Sequence, residues 1–349
     1  MDEEIQKKDS TNEESDNSDE LADKSHSASL VDKSVIGNKS EETEETIFTN
    51  ISVFTTDNSD LAWTVRFSPD IMPINEITVK DKDKCIVTCL DYRLFMIDIR
   101  TKTVLNEIQL DTCSKNHHPQ FFGDQSILLQ NQVKKSILRC RLEKTKLVDV
   151  SAFIELKSSP ADVTVRGILD FLVLKSGDVV VFAFKMGDGR LTSQEILHVL
   201  KYDQDGELQL DETLMEKDKP LFDEIYSSTE NACGEICIAA LSESGESFST
   251  PIIGLDTNLK LIFHYVSNSG YRFYPASIAT TMNRHILVLY STSFIEILDR
   301  KGRFIGYFPS KVYSNVGSPA RIAVDTENIL WIVTIDSKIA GIEMDKDTL

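Results

Sequence analysis

The chain has 349 residues, of which 41% are hydrophobic and 27% charged, and its formal net charge at pH 7 is -19. This apolar content is sufficient for a large core, whereas the acidic balance disfavours general binding to a nucleic-acid backbone or an anionic membrane. No apolar run is as long as a membrane-spanning helix, and the N-terminus is acidic where a signal peptide would be basic and then apolar. We therefore expect a cytoplasmic protein without a membrane partner.

Residues 1–46 form a separate acidic segment. Residues 1–45 contain fifteen Asp and Glu against five Lys, which gives about -10 of the total charge. Because the segment has almost no aromatic residues, it cannot bury enough apolar surface to offset the entropy cost of ordering. We predict a disordered tail, which either only keeps the protein soluble or is regulated by phosphorylation of serines among its acidic residues.

From residue 47 onward the chain is predicted to form one strand after another. Four runs rich in β-branched and aromatic residues predict a first four-stranded blade, namely Ile74 to Val79, Cys85 to Leu90, Leu94 to Ile99 and Val104 to Leu110. Similar but less regular runs predict further blades over residues 127–153, 163–214 and 236–266. No stretch predicts a long helix.

The last third of the chain contains a sequence repeat. The segment Pro275–Ala279 (PASIA) returns 44 residues later as Pro319–Ala323 (PARIA), and a period of this length is typical of a β-propeller blade. The last blade lacks a fourth strand, while the strand-like run Ile47–Thr56 has no blade of its own. We therefore predict an all-β, six-bladed β-propeller over residues 47–345, closed by pairing of that run with the last blade, which removes two exposed sheet edges.

Turns of the form Asp-x-x-Gly give an independent repeat signal. Asp203 and Gly206 match Asp299 and Gly302, and Asp256 begins a looser copy without the glycine. An aspartate accepts hydrogen bonds from the backbone of its own turn, and glycine accommodates the positive φ that a tight hairpin requires. We interpret these five residues as structural.

Several segments resemble the six-bladed NHL-repeat propellers of invertebrate tripartite-motif proteins. Tyr226–Ala239 (YSSTENACGEICIA) is similar to a blade entry of that family, and Tyr202–Leu208, Lys219–Phe222 and Ile322–Trp331 follow in the order that the family shows. The resemblance implies a propeller that binds proteins or, as in some relatives, RNA. The chain departs from the family at Ala240, where an aspartate is usual, in its few glycines, and in lacking the RING, B-box and coiled-coil segments.

The sequence offers little catalytic chemistry. A RING or B-box needs closely spaced Cys and His pairs. The pairs Cys85/Cys89 and Cys233/Cys237 lie in strand-like runs, where residues four apart are separated by about 13 Å, so we interpret them as buried cysteines. No nucleophile elbow, Walker loop or dinucleotide-binding motif is present. We predict no enzyme activity, no metal and no cofactor.

A calcium-dependent propeller hydrolase is an alternative from the enzyme class. Such enzymes need Glu, Asn and Asp side chains that converge on the central channel. Glu230, Asn231, Asp325 and Asn328 are candidates for this role, but the same positions also suit ordinary blade turns.

Six basic residues fall close together in the predicted second blade: Lys134, Lys135, Arg139, Arg141, Lys144 and Lys146. They belong either to a solvated outer strand or to a docking patch for an acidic segment, from a partner or from the protein's own tail.

We therefore expect a monomeric, non-enzymatic protein-protein interaction module. The longer polar connections Asp111–Gln120 and Ser242–Thr250 are the candidate surface for the partner. An RNA-binding propeller and a calcium-dependent hydrolase remain as alternatives, the first disfavoured by the acidic charge.

Overall fold

Runs of β-branched and aromatic residues ended by polar turns fold into antiparallel strands along the chain. The computed structural model describes residues 51–54, 63–67, 73–81, 83–101, 103–110, 118–143, 146–156, 165–186, 195–216, 219–242, 249–267, 274–290, 294–313 and 316–344. The predicted disordered tail, residues 1–46, lies outside these ranges. In the described residues, no helix is long and apolar enough to cross a membrane.

The strands and the single helix of the described residues follow in chain order. The first two strands are β1 (Ile51–Phe54) and β2 (Trp63–Phe67). Blade 1 contains β3 (Ile74–Val79), β4 (Lys84–Cys89), β5 (Arg93–Asp98) and β6 (Thr103–Gln109). Blade 2 contains β7 (Gln120–Phe122), β8 (Ser126–Asn131), β9 (Ser136–Glu143) and β10 (Lys146–Glu155). Blade 3 contains β11 (Val165–Val173), β12 (Val179–Met186), β13 (Glu195–Tyr202) and β14 (Leu208–Thr213).

A two-stranded ribbon, β15 (Met215–Glu216) and β16 (Lys219–Pro220), connects blades 3 and 4. Blade 4 contains β17 (Glu224–Glu230), β18 (Ile236–Leu241), β19 (Pro251–Leu255) and β20 (Leu261–Val266). Blade 5 contains β21 (Pro275–Thr280), β22 (Ile286–Tyr290), β23 (Phe294–Leu298) and β24 (Phe304–Tyr307). The short helix α1 (Ser310–Tyr313) precedes blade 6, which contains β25 (Pro319–Val324), β26 (Ile329–Thr334) and β27 (Lys338–Glu343).

The hydrophobic core of the described residues is divided among the gaps between neighbouring blades. Each of six buried clusters contains residues from two adjacent blades. Representative pairs are Leu94 with Ile127, Leu128 with Val181, Leu197 with Ile238, Ile252 with Val288, Leu289 with Ile332, and Val333 with Val87. Because the last pair joins blade 6 to blade 1, the blades form a closed ring. The predicted six-bladed, all-β propeller is confirmed.

Blade 6 is completed by strands from the beginning of the chain. β2 pairs antiparallel with β27, with Trp63 opposite Gly341, and β1 pairs with the other edge of β2. The closing strand is therefore β2 and not the run Ile47–Thr56, whose described part, β1, forms a fifth, outermost strand. The sequence of β2, WTVRF, alternates apolar and polar residues as expected for a strand within a sheet, and this signal was missed.

Two truncations separate the contributions of these strands. Removal of residues 1–57 deletes β1 and keeps β2, whereas removal of residues 1–68 deletes both. We expect the longer truncation to lower the melting temperature by a further ~5 °C or more, because it exposes the edge of β27. Differential scanning fluorimetry of both truncated proteins measures this difference. Equal melting temperatures would contradict closure by β2.

Candidate functional site

The two ends of the propeller differ in the connections they carry. We call the first strand of each blade its inner strand. In blades 1 to 5, the hairpin turns after the first and third strands lie at the end of the propeller where the inner strand ends. We call this end the turn face. The opposite end, the loop face, carries the turns between second and third strands and the connections between blades.

The aspartates of the predicted turns accept backbone hydrogen bonds at the turn face. Oδ1 of Asp203 accepts from the N–H groups of Asp205 and Glu207 at 3.0 and 2.9 Å, and Asp256 and Asp299 accept the corresponding two bonds in their own turns. The bond from Glu207 is the main reason why the pKa of Asp203 is lowered. These carboxylates therefore fix the turns between the third and fourth strands of blades 3, 4 and 5.

The fourth residue of these turns also meets the preceding blade. A Cβ atom on Gly206, whose φ is +84°, would lie 2.7 Å from the carbonyl oxygen of Phe153 in blade 2. Gly302 is covered in the same way by the ring of Phe263 from blade 4. In the turn without glycine, Leu259 adopts a φ of 63° and its buried side chain joins the core between blades 3 and 4. The residue at the fourth position of each turn is therefore one that can pack against the preceding blade.

A cavity of about 1360 Å³ opens into the channel at the turn face, and residues from all six blades line it. Its wall contains four basic residues, Lys80, Arg139, Arg141 and Lys175, and five acidic residues, Asp124, Asp149, Asp205, Glu230 and Asp325. Half of the other lining residues carry hydroxyl or amide groups. A wall of this composition suits a polar ligand with charges of both signs better than an apolar or a polyanionic one.

Glu230 occupies a shielded position in this wall. Its Oε2 accepts a hydrogen bond from the N–H of Lys175 at 2.6 Å, and its backbone oxygen accepts one from Oγ1 of Thr280 at 2.8 Å. Burial raises the pKa of Glu230, and the bond from Lys175 opposes this effect. The side chain therefore joins blades 3 and 4 at the channel.

The other calcium candidates are engaged in blade contacts. Asn231 and Asp325 each accept two backbone N–H bonds within their own turns. Asp325 also accepts from the indole N–H of Trp331 at 3.1 Å, and Asn328 accepts from the N–H of Met282 at 3.1 Å. In the part of the chain that the structure describes, no group of three or more His, Cys, Asp and Glu side chains is arranged to hold a metal ion.

A second polar feature encircles the channel nearer the loop face. We call it the polar belt, and it consists of one residue from each blade: Glu76, His118, Asp170, Ser227, Ser277 and Arg321. In five blades the belt residue directly follows a register shift in the first strand of the blade. Such bulges redirect side chains. In blade 2 the belt residue lies just before β7.

Four members of the polar belt, Arg321, Glu76, His118 and Asp170, connect four blade junctions. Nε of Arg321 lies 3.5 Å from Oε2 of Glu76. Nδ1 of His118 lies 4.0 Å from the same oxygen and 3.7 Å from Oδ1 of Asp170. Oδ2 of Asp170 accepts a hydrogen bond from Ser228 at 2.7 Å. The sequence of contacts runs from blade 6 through blades 1, 2 and 3 to blade 4.

The two serines complete the belt through backbone groups. Oγ of Ser227 accepts from the N–H of Ile278 at 3.3 Å. Oγ of Ser277 donates to the oxygen of Ile322 at 3.1 Å and accepts from its N–H at 3.2 Å. A side chain at the same level therefore bridges every pair of neighbouring blades. This arrangement was not predicted, although its last two members occupy the third position of the PASIA and PARIA repeats.

The predicted basic patch is divided between the two faces. Lys134 and Lys135 lie in the turn between β8 and β9 at the loop face. Arg139 and Arg141 line the cavity at the turn face, and six residues of strand separate Lys135 from Arg141 by about 20 Å. The other two members are Lys146, at the start of β10, and Lys144, which lies outside the described residues.

Most of the cysteines in the described residues lie in the core. Four cysteines are buried, Cys85, Cys89, Cys140 and Cys237, and burial raises the pKa of each thiol to about 12. Cys233 lies half-buried in a turn and not in the predicted strand, because the inner strand ends at Glu230. Residues 111–117 and 243–248 of the candidate partner loops, and Cys113, lie outside the described residues.

Comparison with known proteins identifies the fold alone. No protein-family model and no curated protein sequence matches the chain. Its structure resembles the β-propeller domain of Cps50 (Swd1) from Myceliophteria thermophila, with a TM-score of 0.52 and 10% identity over 85% of this chain and 96% of that one. It also resembles a luciferin-regenerating enzyme, with a TM-score of 0.54 and 6% identity over 79% and 92% of the two chains.

A third similar structure is a catalytically inactive virginiamycin B lyase from Staphylococcus aureus with quinupristin. Its TM-score is 0.51, with 12% identity over 85% of this chain and 99% of the lyase. Two of these similar structures are named as enzymes and the third is not. The shared propeller architecture therefore does not by itself assign a function.

Two glycines test the docking of turns on the preceding blade. Gly206 and Gly123 both have positive φ, but a Cβ atom on Gly123 would meet nothing within 4 Å. We expect Gly123→Ala to cost ~1 kcal/mol of unfolding free energy through backbone strain, and Gly206→Ala to cost at least ~1 kcal/mol more through the clash with Phe153. Urea unfolding followed by fluorescence measures both. Equal losses would argue against the contact between blades.

An ion pair between blades 4 and 5 predicts a pH-dependent stability. Nε of Arg300 donates to Oε2 of Glu235 at 2.8 Å, and this hydrogen bonding is the main cause that lowers the pKa of Glu235. Because the folded-state pKa lies below the unfolded value of ~4.3, the pair stabilises the protein above that pH and ceases to do so as the pH falls through the folded-state pKa.

We expect Glu235→Gln to reduce the unfolding free energy by ~1 kcal/mol near neutral pH, since Arg300 is half-exposed and solvent screens the pair. The difference from the wild type should shrink as the pH falls below the unfolded-state pKa and through the lowered folded-state pKa of Glu235. Thermal unfolding of both proteins across this pH range provides the measurement. An undiminished difference in acid would show that the amide substitution acts through packing.

Proposed function

We propose that this protein is a non-enzymatic interaction module, related to the NHL-type propellers, which binds a polar segment of a partner protein in the turn-face cavity. The observation that carries the proposal is the cavity itself, about 1360 Å³ in volume and lined by all six blades. Fixed turns contribute to its wall, with Asp203 and Asp325 each accepting hydrogen bonds from the backbone of its own turn. A preformed rim of this kind favours binding because little loop entropy is lost.

The charge of the wall supports a protein partner over RNA. Five carboxylates and four basic side chains line the cavity, so a phosphate backbone would meet more repulsion than attraction there. A polypeptide segment offers both charges and many hydrogen-bonding groups, which match the hydroxyl and amide side chains of the wall.

The engagement of the calcium candidates supports binding over calcium-dependent hydrolysis. Asn231 and Asp325 stabilise their own turns, and Asn328 accepts a bond from blade 5. A calcium ion at these oxygens would have to replace hydrogen bonds that hold the turns in place. The neighbouring enzymes share the fold at 6% and 12% identity, which carries no residue-level argument.

Site-specific photo-crosslinking tests which face binds the partner. A photoreactive residue is placed at Gln125 or Thr326 in the cavity wall, with Val133 at the loop face as the matched exposed control. We expect protein crosslinks from the two cavity positions in native lysate and few from Val133, because the partner segment should contact the turn face.

Each lysate is also treated with nuclease or with a calcium chelator. Crosslinks that survive both treatments support the proposed function. Loss of the crosslinks with nuclease would favour the RNA-binding alternative, and loss with chelator would favour the calcium-dependent one. Crosslinks confined to Val133 would contradict binding at the turn face.

A further inference from the structure

The basic residues of the cavity wall differ in how they are neutralised. Nη2 of Arg141 lies 2.7 Å from Oε1 of Glu143 and 3.1 Å from Oδ2 of Asp149. Nζ of Lys80 in blade 1 lies 3.5 Å from Oδ1 of Asp124 in blade 2. These two cations already have carboxylate partners, so an incoming anion gains little from them. The fourth basic residue, Lys175, donates from Nζ to the backbone oxygen of Asn231 at 3.4 Å and lacks the planar fork of an arginine.

Arg139 has no such partner. Its Nε donates to Oγ of Ser126 at 3.4 Å, and its guanidinium carbon lies 4.9 Å from the ring centroid of Phe122. Among the described residues, no carboxylate lies within ion-pair distance of Arg139, and its Nη1 and Nη2 groups make no hydrogen bond. The residue is exposed and lines the cavity.

The surroundings hold this guanidinium in place. The ring of Phe122 is buried and lies 4.9 Å from the ring of Phe153, whose backbone in turn packs against Gly206 of blade 3. A guanidinium that rests on a fixed aromatic ring loses little freedom when it binds a ligand. Its two free terminal nitrogens form the planar fork that matches a carboxylate.

We propose that Arg139 is the carboxylate-binding residue of the cavity, so that the partner segment is anchored there through an aspartate or glutamate side chain. This inference rests on the proposed function and specifies the chemistry of the partner. A carboxylate fits better than phosphate because Asp149 and Asp205 also line the cavity and would repel a doubly charged group more strongly.

A random decapeptide library selected on the full-length protein tests this assignment. The variants are Arg139→Gln and, as the matched control in the same blade, Lys134→Gln at the loop face. We expect peptides rich in Asp and Glu to be enriched on the wild type and on the control variant, and this enrichment to be lost on Arg139→Gln. Equal melting temperatures of the three proteins establish that folding is unaffected.

Calorimetry with one enriched peptide then measures the contribution of the ion pair. Arg139→Gln should weaken the Kd about tenfold or more, as expected for loss of a charge-assisted hydrogen bond. Replacing the acidic residue of the peptide by its amide should weaken the wild type by a similar factor and Arg139→Gln very little. Arg139→Lys should be intermediate, since it keeps the charge and loses the fork.

Different failures have different meanings. Peptides that bind in the cavity without an acidic residue, or that bind Arg139→Gln as tightly as the wild type, would overturn the role of Arg139 and leave the proposed function standing. If oligouridine RNA or inorganic phosphate displaced the bound peptide at a lower concentration than the free acidic peptide itself requires, the choice of carboxylate would be overturned. A library that yields no enriched peptide on any of the proteins would contradict the proposed function itself.

Discussion

The pairing of β2 with β27 is the constraint on which the rest of the structure depends. It joins the beginning of the described propeller to its last blade, so the cluster that contains Val333 and Val87 can form between blades 6 and 1. The cavity and the polar belt both need residues from all six blades at fixed distances from the channel axis. An open ring would leave edges exposed and would not hold either feature in place.

Within the closed ring, structural and binding roles are separated along the channel. Near the loop face, the polar groups of belt residues such as Glu76 and Asp170 contact side chains of neighbouring blades. At the turn face, aspartates such as Asp203 accept hydrogen bonds from the backbone N–H groups of their own turns. In the cavity wall, Lys80 and Arg141 have carboxylate partners, whereas Arg139 presents a planar guanidinium without one among the described residues.

The fold could be predicted from local patterns, whereas the site depends on positions far apart in the chain. The PASIA and PARIA repeat and the Asp-x-x-Gly turns reflect strand and turn geometry that each blade repeats. The three-residue strand β7 is too short to give a periodic signal. Members of the polar belt are separated by 42 to 57 residues, and only ring closure brings them to one level. The predicted basic patch is divided between the loop face and the turn face because the two ends of β9 lie at opposite faces of the propeller.

Hydrogen-deuterium exchange of the full-length protein, with and without its crosslinked partner, tests the central claim most directly. Binding in the turn-face cavity predicts slower exchange in the turn from Phe122 to Ser126 and in the turn from Leu174 to Asp178, which line the cavity or adjoin it. The loop-face turn from Asn131 to Ser136 should exchange as in the free protein. Protection confined to that loop-face turn would contradict the account.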